Sequence, residues 1–165
     1  KNIDELEKAL VSFEKENSEI ESGISHVIGD FIMWKTISDS RIPDDNNEAT
    51  ISSYGEVNEI QLNLEELTHY GDGKFGIHFC LEMEVYVTYY IYKPDYYMLR
   101  EGSGHTLSIS DHNDHYFEAE EDFNINVIGT AAFTIDSDSF DLADISESII
   151  NGTLEIDEVS AIELC

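Results

Sequence analysis

The densest group of side chains able to do chemistry is His105, Asp111, His112, Asn113, Asp114 and His115. Imidazole and carboxylate at short spacing can ligate zinc or another transition metal. The spacing fits no established ligand pattern, so a solvated turn competes with a metal site built on His112 and Asp114. A second acidic run, Asp136, Asp138, Asp141 and Asp144, resembles a calcium loop but lacks the glycine and the flanking helices of an EF-hand. Asp136, Asp138 and Asp141 are therefore weak candidates for a divalent cation, and no other cofactor is expected. A third cluster, Glu118, Glu120, Glu121 and Asp122, offers paired carboxylates of the kind used in acid–base work. Strand alternation puts Glu118 and Glu120 on one face and points Glu121 inward, where either a bulge turns it out or the carboxylate needs a partner such as Lys74, Lys93 or Arg100. No nucleophile elbow, phosphate loop, CxxC pair or HExxH sequence occurs. The remaining feature is a tyrosine band that also includes Tyr89: Tyr86, Tyr90, Tyr92, Tyr96, Tyr97 and Tyr116 form a candidate interaction surface, because tyrosine is favoured at interfaces.

The elements that would position these residues are legible in the hydrophobic period. Phe75, Ile77, Phe79, Leu81, Met83, Val85, Val87, Tyr89 and Ile91 occupy every odd position of one stretch. Such strict alternation marks a strand with one dry face. Its length, more than about 50 Å if straight, implies twist, bending or a bulge near Gly76 or Tyr89-Tyr90. Lys93-Pro94-Asp95 ends it, since proline cannot donate to a ladder. A second alternation runs from Phe117 to Ile135, with Glu121 and Gly129 as exceptions, and Gly129 suggests a bend. Pairing the two antiparallel with Ile91 facing Phe117 sets Phe79 against Gly129 and opposes no two carboxylates; a two-residue slip remains open. Between them, residues 93–114 read as a connection, with a brief strand over 106–110.

The N-terminus is helical: Ile3, Leu6, Leu10, Phe13, Asn17, Ile20, Ile24, Val27, Phe31 and Trp34 recur at helical spacing. One continuous heptad seam is possible. Asn2 before Glu5, and Ser18 before Glu21, instead favour two capped helices over 3–16 and 19–37. Residues 38–55, rich in Ser, Asp, Asn and Pro, read as an acidic loop. A short strand over 57–64 and a turn at 70–73 follow. A short helix over 142–149 and a last strand over 153–164, bulged at Asp157-Glu158, complete the chain. The expected class is α+β, with two N-terminal helices on a strongly curved antiparallel sheet or partial barrel. Its segments are a helical part (1–37), an acidic loop (38–55) and a β domain (56–165).

The 165 residues are 41% hydrophobic and carry 36 Asp and Glu against 8 Lys and Arg, a formal charge of −28. That field repels nucleic-acid backbones and anionic membranes, and favours basic partners. Two cysteines, Cys80 and Cys165, make no disulfide framework, so a reducing cytoplasmic setting is expected. The chain begins at Lys1, which reads as a piece of a longer protein.

The runs Tyr89-Tyr90-Ile91-Tyr92-Lys93-Pro94-Asp95-Tyr96-Tyr97-Met98-Leu99 and Ser110-Asp111-His112-Asn113-Asp114-His115-Tyr116-Phe117-Glu118-Ala119-Glu120-Glu121-Asp122-Phe123 resemble the C-terminal region of large bacterial PIN-like proteins. The resemblance implies a non-catalytic part of a ribonuclease-like protein from a toxin or phage-defence setting. Its partner would be a protein or an N-terminal domain beyond this chain, with homo-oligomers possible. The acidic tetrad of a PIN nuclease is absent, so no catalytic residue is carried over. The alternatives are a free-standing acidic mimic of nucleic acid and a metal-dependent hydrolase using His105–His115.

Overall fold

A computed structural model describes residues 3–99, 105–135 and 154–165. Their architecture is α+β. The helices are α1 (Ile3–Asn17), α2 (Glu19–Ile32) and α3 (Lys93–Met98). The strands are β1 (Thr36–Ser38), β2 (Glu48–Leu62), β3 (Thr68–Gly71), β4 (Lys74–Tyr92), β5 (Ser108–Asp111), β6 (Tyr116–Thr134) and β7 (Glu155–Leu164). They form one open antiparallel sheet in the order β1-β2-β4-β6-β5, with β3 also on β4 and β7 also on β6. The described residues fall into two compact units. One draws on Lys1–Phe31, Glu59–Leu81 and Val127–Ala161, the other on Ile32–Asn58, Glu82–Asn126 and Ile162–Cys165.

Strand β4 follows its sequence pattern: every odd residue from Phe75 to Ile91 is buried. It runs unbroken from Lys74 to Tyr92. The expected pairing with β6 is met in each unit. In the second, the Lys93 N–H donates to the His115 carbonyl at 2.8 Å. In the first, Phe79 lies against Gly129, and His78 meets Thr130 at 3.1 Å across the outer face. Gly129 serves close packing. A Cβ there would run into the Glu158 carbonyl and stand 2.9 Å from the Phe79 ring. Gly73 is demanded by backbone conformation: its φ is +78°, and its carbonyl accepts the Ile135 N–H at 2.8 Å. The expected turn at 70–73 is the tip of a hairpin whose first arm is β3, too short to read from period alone.

In the first unit Leu6, Leu10 and Phe13 of α1 and Ile20, Ile24 and Ile28 of α2 are buried. Ser18, with φ of 53°, separates the helices while its N–H still bonds the Glu14 carbonyl at 2.8 Å. The start of α2 is capped from an unexpected place. The buried Glu14 carboxylate accepts the Ile20 N–H at 2.6 Å and the Glu21 N–H at 3.1 Å, where the sequence suggested a Ser18/Glu21 box. Burial raises the Glu14 pKa, opposed by those two backbone bonds.

Helix α2 ends at Ile32, five residues short of the expected 37. Its buried stripe is Ile20, Ile24, Ile28 and Ile32, whose four-residue steps drift about 40° per step around the axis. Val27, Phe31 and Trp34 lie off it, and Trp34 is 69% exposed. In the second unit Trp34 takes φ of 67° and donates its N–H to the Ile51 carbonyl at 2.9 Å, and Ile51 returns a bond to the Lys35 carbonyl. That exchange converts 36–38 into β1, paired with Thr50, Ala49 and Glu48. The expected 38–55 loop is thus only 39–47. Burial of Ala49 and Ile51 begins β2 nine residues before the expected strand. Within the loop Asp39 binds Arg41 through both oxygens at 2.9 Å. Arg41 also donates to the Cys165 carbonyl at 2.9 Å and the Leu164 carbonyl at 3.4 Å. The Arg41 hydrogen bonds hold the Asp39 pKa down to about 2.

The phase of β7 shifts at the exposed pair Asp157-Glu158, as expected. The helix expected over 142–149 lies outside the described residues.

Two outcomes follow. Gly129→Ala overpacks the Phe79–Glu158 contact and should cost about 1–3 kcal/mol in urea unfolding. A raised acid pKa stabilises the fold fully below the unfolded value near 4.5 and loses that contribution as pH rises through the folded value. The stability of Glu14→Gln should therefore improve relative to wild type as pH rises through this range, read by unfolding both proteins at several pH values.

Candidate functional site: an aromatic and acidic face

The second unit gathers most of the tyrosine band. Outward positions of β4 carry Tyr86, Tyr90 and Tyr92, exposed to 42%, 41% and 39%. Tyr92 meets Tyr116 of β6 at 5.6 Å between ring centres, and Tyr116 donates its hydroxyl to the Asp45 carboxylate of the 39–47 loop. That bond raises the Tyr116 pKa. Tyr90 packs on His112 at 4.3 Å. Tyr86 stands apart, donating to Glu84 two residues back at 2.9 Å, which raises its pKa.

At the end of β4 the chain turns into α3, which the sequence suggested only as connection. Pro94 sits in its first turn, where a missing N–H costs nothing. The helix brings Tyr96 and Tyr97 edge-on to Phe117 at 5.3 and 6.0 Å. Lys93 lies 5.0 Å from the same ring and bonds Asp111 at 2.7 Å. Tyr97 and Met98 remain 72% and 73% exposed.

The inward carboxylate of β6 is real. Glu121 is 5% exposed. Its partners among the described residues are Tyr89, whose hydroxyl donates to it at 2.7 Å, and His105, whose Nδ1 stands 2.9 Å away; neither Lys74 nor Lys93 appears in these contacts, and Arg100 lies outside the described residues. Burial first, then the Glu121 bond, pushes the Tyr89 pKa far up. A signal was present in the sequence: with Ile91 facing Phe117, Tyr89 and Glu121 are diagonal neighbours on the same face, within reach of a long side chain.

The His105–His115 group does not converge. His105 serves Glu121, Asp111 binds Lys93 and His112 packs at a tilt on Tyr90. The Asn113 carboxamide accepts the His115 and Tyr116 N–H groups at 2.9 Å each, and Asp114 is exposed. Among the described residues no group of three or more His, Cys, Asp or Glu is arranged to hold a metal ion. Asp136, Asp138 and Asp141 lie outside the described residues. Cys80 and Cys165 are both exposed and form no disulfide. No helix of the described residues is long and apolar enough to cross a membrane.

Comparison of the chain with known protein families, with curated proteins and with solved structures finds no match in any of the three.

Replacing Glu121 by Leu removes the acceptor of the buried Tyr89 hydroxyl. It should lower stability by about 1–3 kcal/mol. Adding Tyr89→Phe should recover part of that loss, so a double-mutant cycle in denaturant should come out non-additive.

Proposed function

We propose that this chain is a non-catalytic interaction module, the accessory part of a bacterial PIN-like nuclease of a toxin or phage-defence setting, acting in the cytoplasm. In this reading a basic protein surface, on a partner or on an attached domain, docks on the aromatic end of the second unit, which carries Tyr90, Tyr92 and Tyr116 on the strands and Tyr97 and Met98 on α3. A strongly curved sheet would present that end.

The observation that carries the reading is the exposure of Tyr97 and Met98, 72% and 73%, at the end of α3. Large apolar side chains held open at one corner suit a protein contact. The charge of −28 selects a basic occupant and opposes both nucleic acid and a second copy of the chain. The alternative of a free-standing nucleic-acid mimic draws on the charge alone and leaves the tyrosines unused.

A pull-down from the source cell, comparing the wild-type chain with a Tyr97→Ser/Met98→Ser variant, tests the reading. A defined set of basic proteins should be retained by wild type and fall at least about tenfold with the variant, a change of about 1.4 kcal/mol in binding. Equal recovery by both, or ribonuclease turnover by the isolated chain with magnesium or manganese, would overturn it.

A further inference from the structure

We propose that a polar cleft of about 200 Å³ in the second unit receives the guanidinium of an arginine side chain presented by the docking partner; this rests on the protein-contact reading above. The cleft is lined by Thr36, Asp44, Glu48, Thr50, Thr88 and Tyr90, among others. Its construction follows from the register of the sheet. Thr36 faces Thr50 across β1 and β2. Thr88 and Tyr90, alternating on β4, share its outer face. The 39–47 loop adds Asp44.

The chemistry of the lining is one-sided. Two carboxylate residues, three threonines and two tyrosines contribute beside Asn46 and Ala49, and no Lys or Arg lines the cleft among the described residues. Asp44 uses one oxygen, Oδ2, to accept the Asn46 N–H at 2.9 Å and the Glu48 N–H at 3.4 Å. Its other oxygen and the Glu48 carboxylate make no hydrogen bond or ion pair among the described residues. The Thr88 hydroxyl donates to Ser52 at 3.0 Å, which leaves its lone pairs as acceptors.

An anion is repelled from this lining, and a neutral ligand leaves the carboxylates unmatched. A guanidinium is planar, always charged and weakly hydrated. It carries five donors that can engage a carboxylate in parallel while its flat face lies on an aromatic ring. A lysine ammonium is a compact, strongly hydrated charge without the fork or the flat face. The cleft lies in the same unit as the aromatic residues, and Tyr90, in tilted contact with His112, belongs to both. A single chain segment could thus seat an arginine here and lay apolar residues on the tyrosines.

The test titrates the full chain, labelled for amide NMR, with a short arginine-bearing synthetic peptide and with its lysine-for-arginine counterpart. The arginine peptide should shift the amides of Thr50, Thr88 and Tyr90 and bind at least about fivefold more tightly than the lysine peptide. Glu48→Gln should weaken it about tenfold, the loss of one charge-assisted bond. Glu59→Gln removes the same charge elsewhere on β2 and should leave binding within about twofold. Thr50→Val keeps a β-branched residue in the strand and guards against a folding artefact; it should weaken the arginine peptide while amide dispersion stays native. Equal affinity for the two peptides, or wild-type affinity in Glu48→Gln, overturns the arginine site. If that happens while the Tyr97→Ser/Met98→Ser variant still loses partners in the pull-down, the protein-contact reading survives without it. If the pull-down fails while the peptide result holds, the partner surface falls and the cleft stands as a guanidinium receptor.

Discussion

The constraint on which the structure depends is the dryness of one side of β4. Nine side chains from Phe75 to Ile91 are withdrawn from water on alternate positions. Each such burial is worth roughly 1.5–3 kcal/mol relative to exposure. A one-residue slip would bring the whole set into solvent and turn Glu82 and Glu84 inward. Register is therefore fixed by the strand itself, and its neighbours are selected to match. Gly129 is small where Phe79 needs room. Outward positions are left free to carry His78, Cys80, Glu84 and Tyr90, whose identity the core does not dictate.

Two acids violate the rule that charge stays wet, and they do so in different ways. Glu14 is buried because a helix start needs an acceptor and the preceding helix supplies one across the Ser18 turn. Glu121 is buried because two donors, from β4 and from the segment leading to β5, meet over it. Both are acceptors placed where N–H or O–H groups would otherwise be stranded. In each case the carboxylate is taken up by the donors it satisfies.

How much of this was legible in the sequence depended on whether one periodicity dominated. In β4 and β6 it did, and both strands match their sequence limits to within a residue or two at each end, as does the register inferred from avoiding opposed carboxylates. In α2 it did not. Phe31 and Trp34 mimic the continuation of an apolar stripe, and only the backbone exchange between 34–35 and Ile51 shows that the helix has already stopped. The first half of β2 was hidden because Ser52, Ser53 and Gly55 read as turn formers; cross-strand pairing overrides that local preference. The His105–His115 residues are spread for a related reason: residues adjacent in sequence are dispersed when a strand, a turn and a second strand pull them to different partners. Of the tyrosines, Tyr90, Tyr92, Tyr96, Tyr97 and Tyr116 gather around the α3 end of the second unit, and Tyr86 stands apart beside Glu84.

The Arg41 clip has a bearing on the order of assembly. It ties Asp39 to carbonyls 123 and 124 residues further along than Arg41. Closing a loop of that size costs more entropy than one exposed guanidinium contact returns. The clip therefore cannot nucleate anything; it fastens only after β2, β4, β6 and β7 have brought the two ends together. A contact of this kind acts as a latch on a finished body, slowing its opening while leaving the speed of folding to the strands.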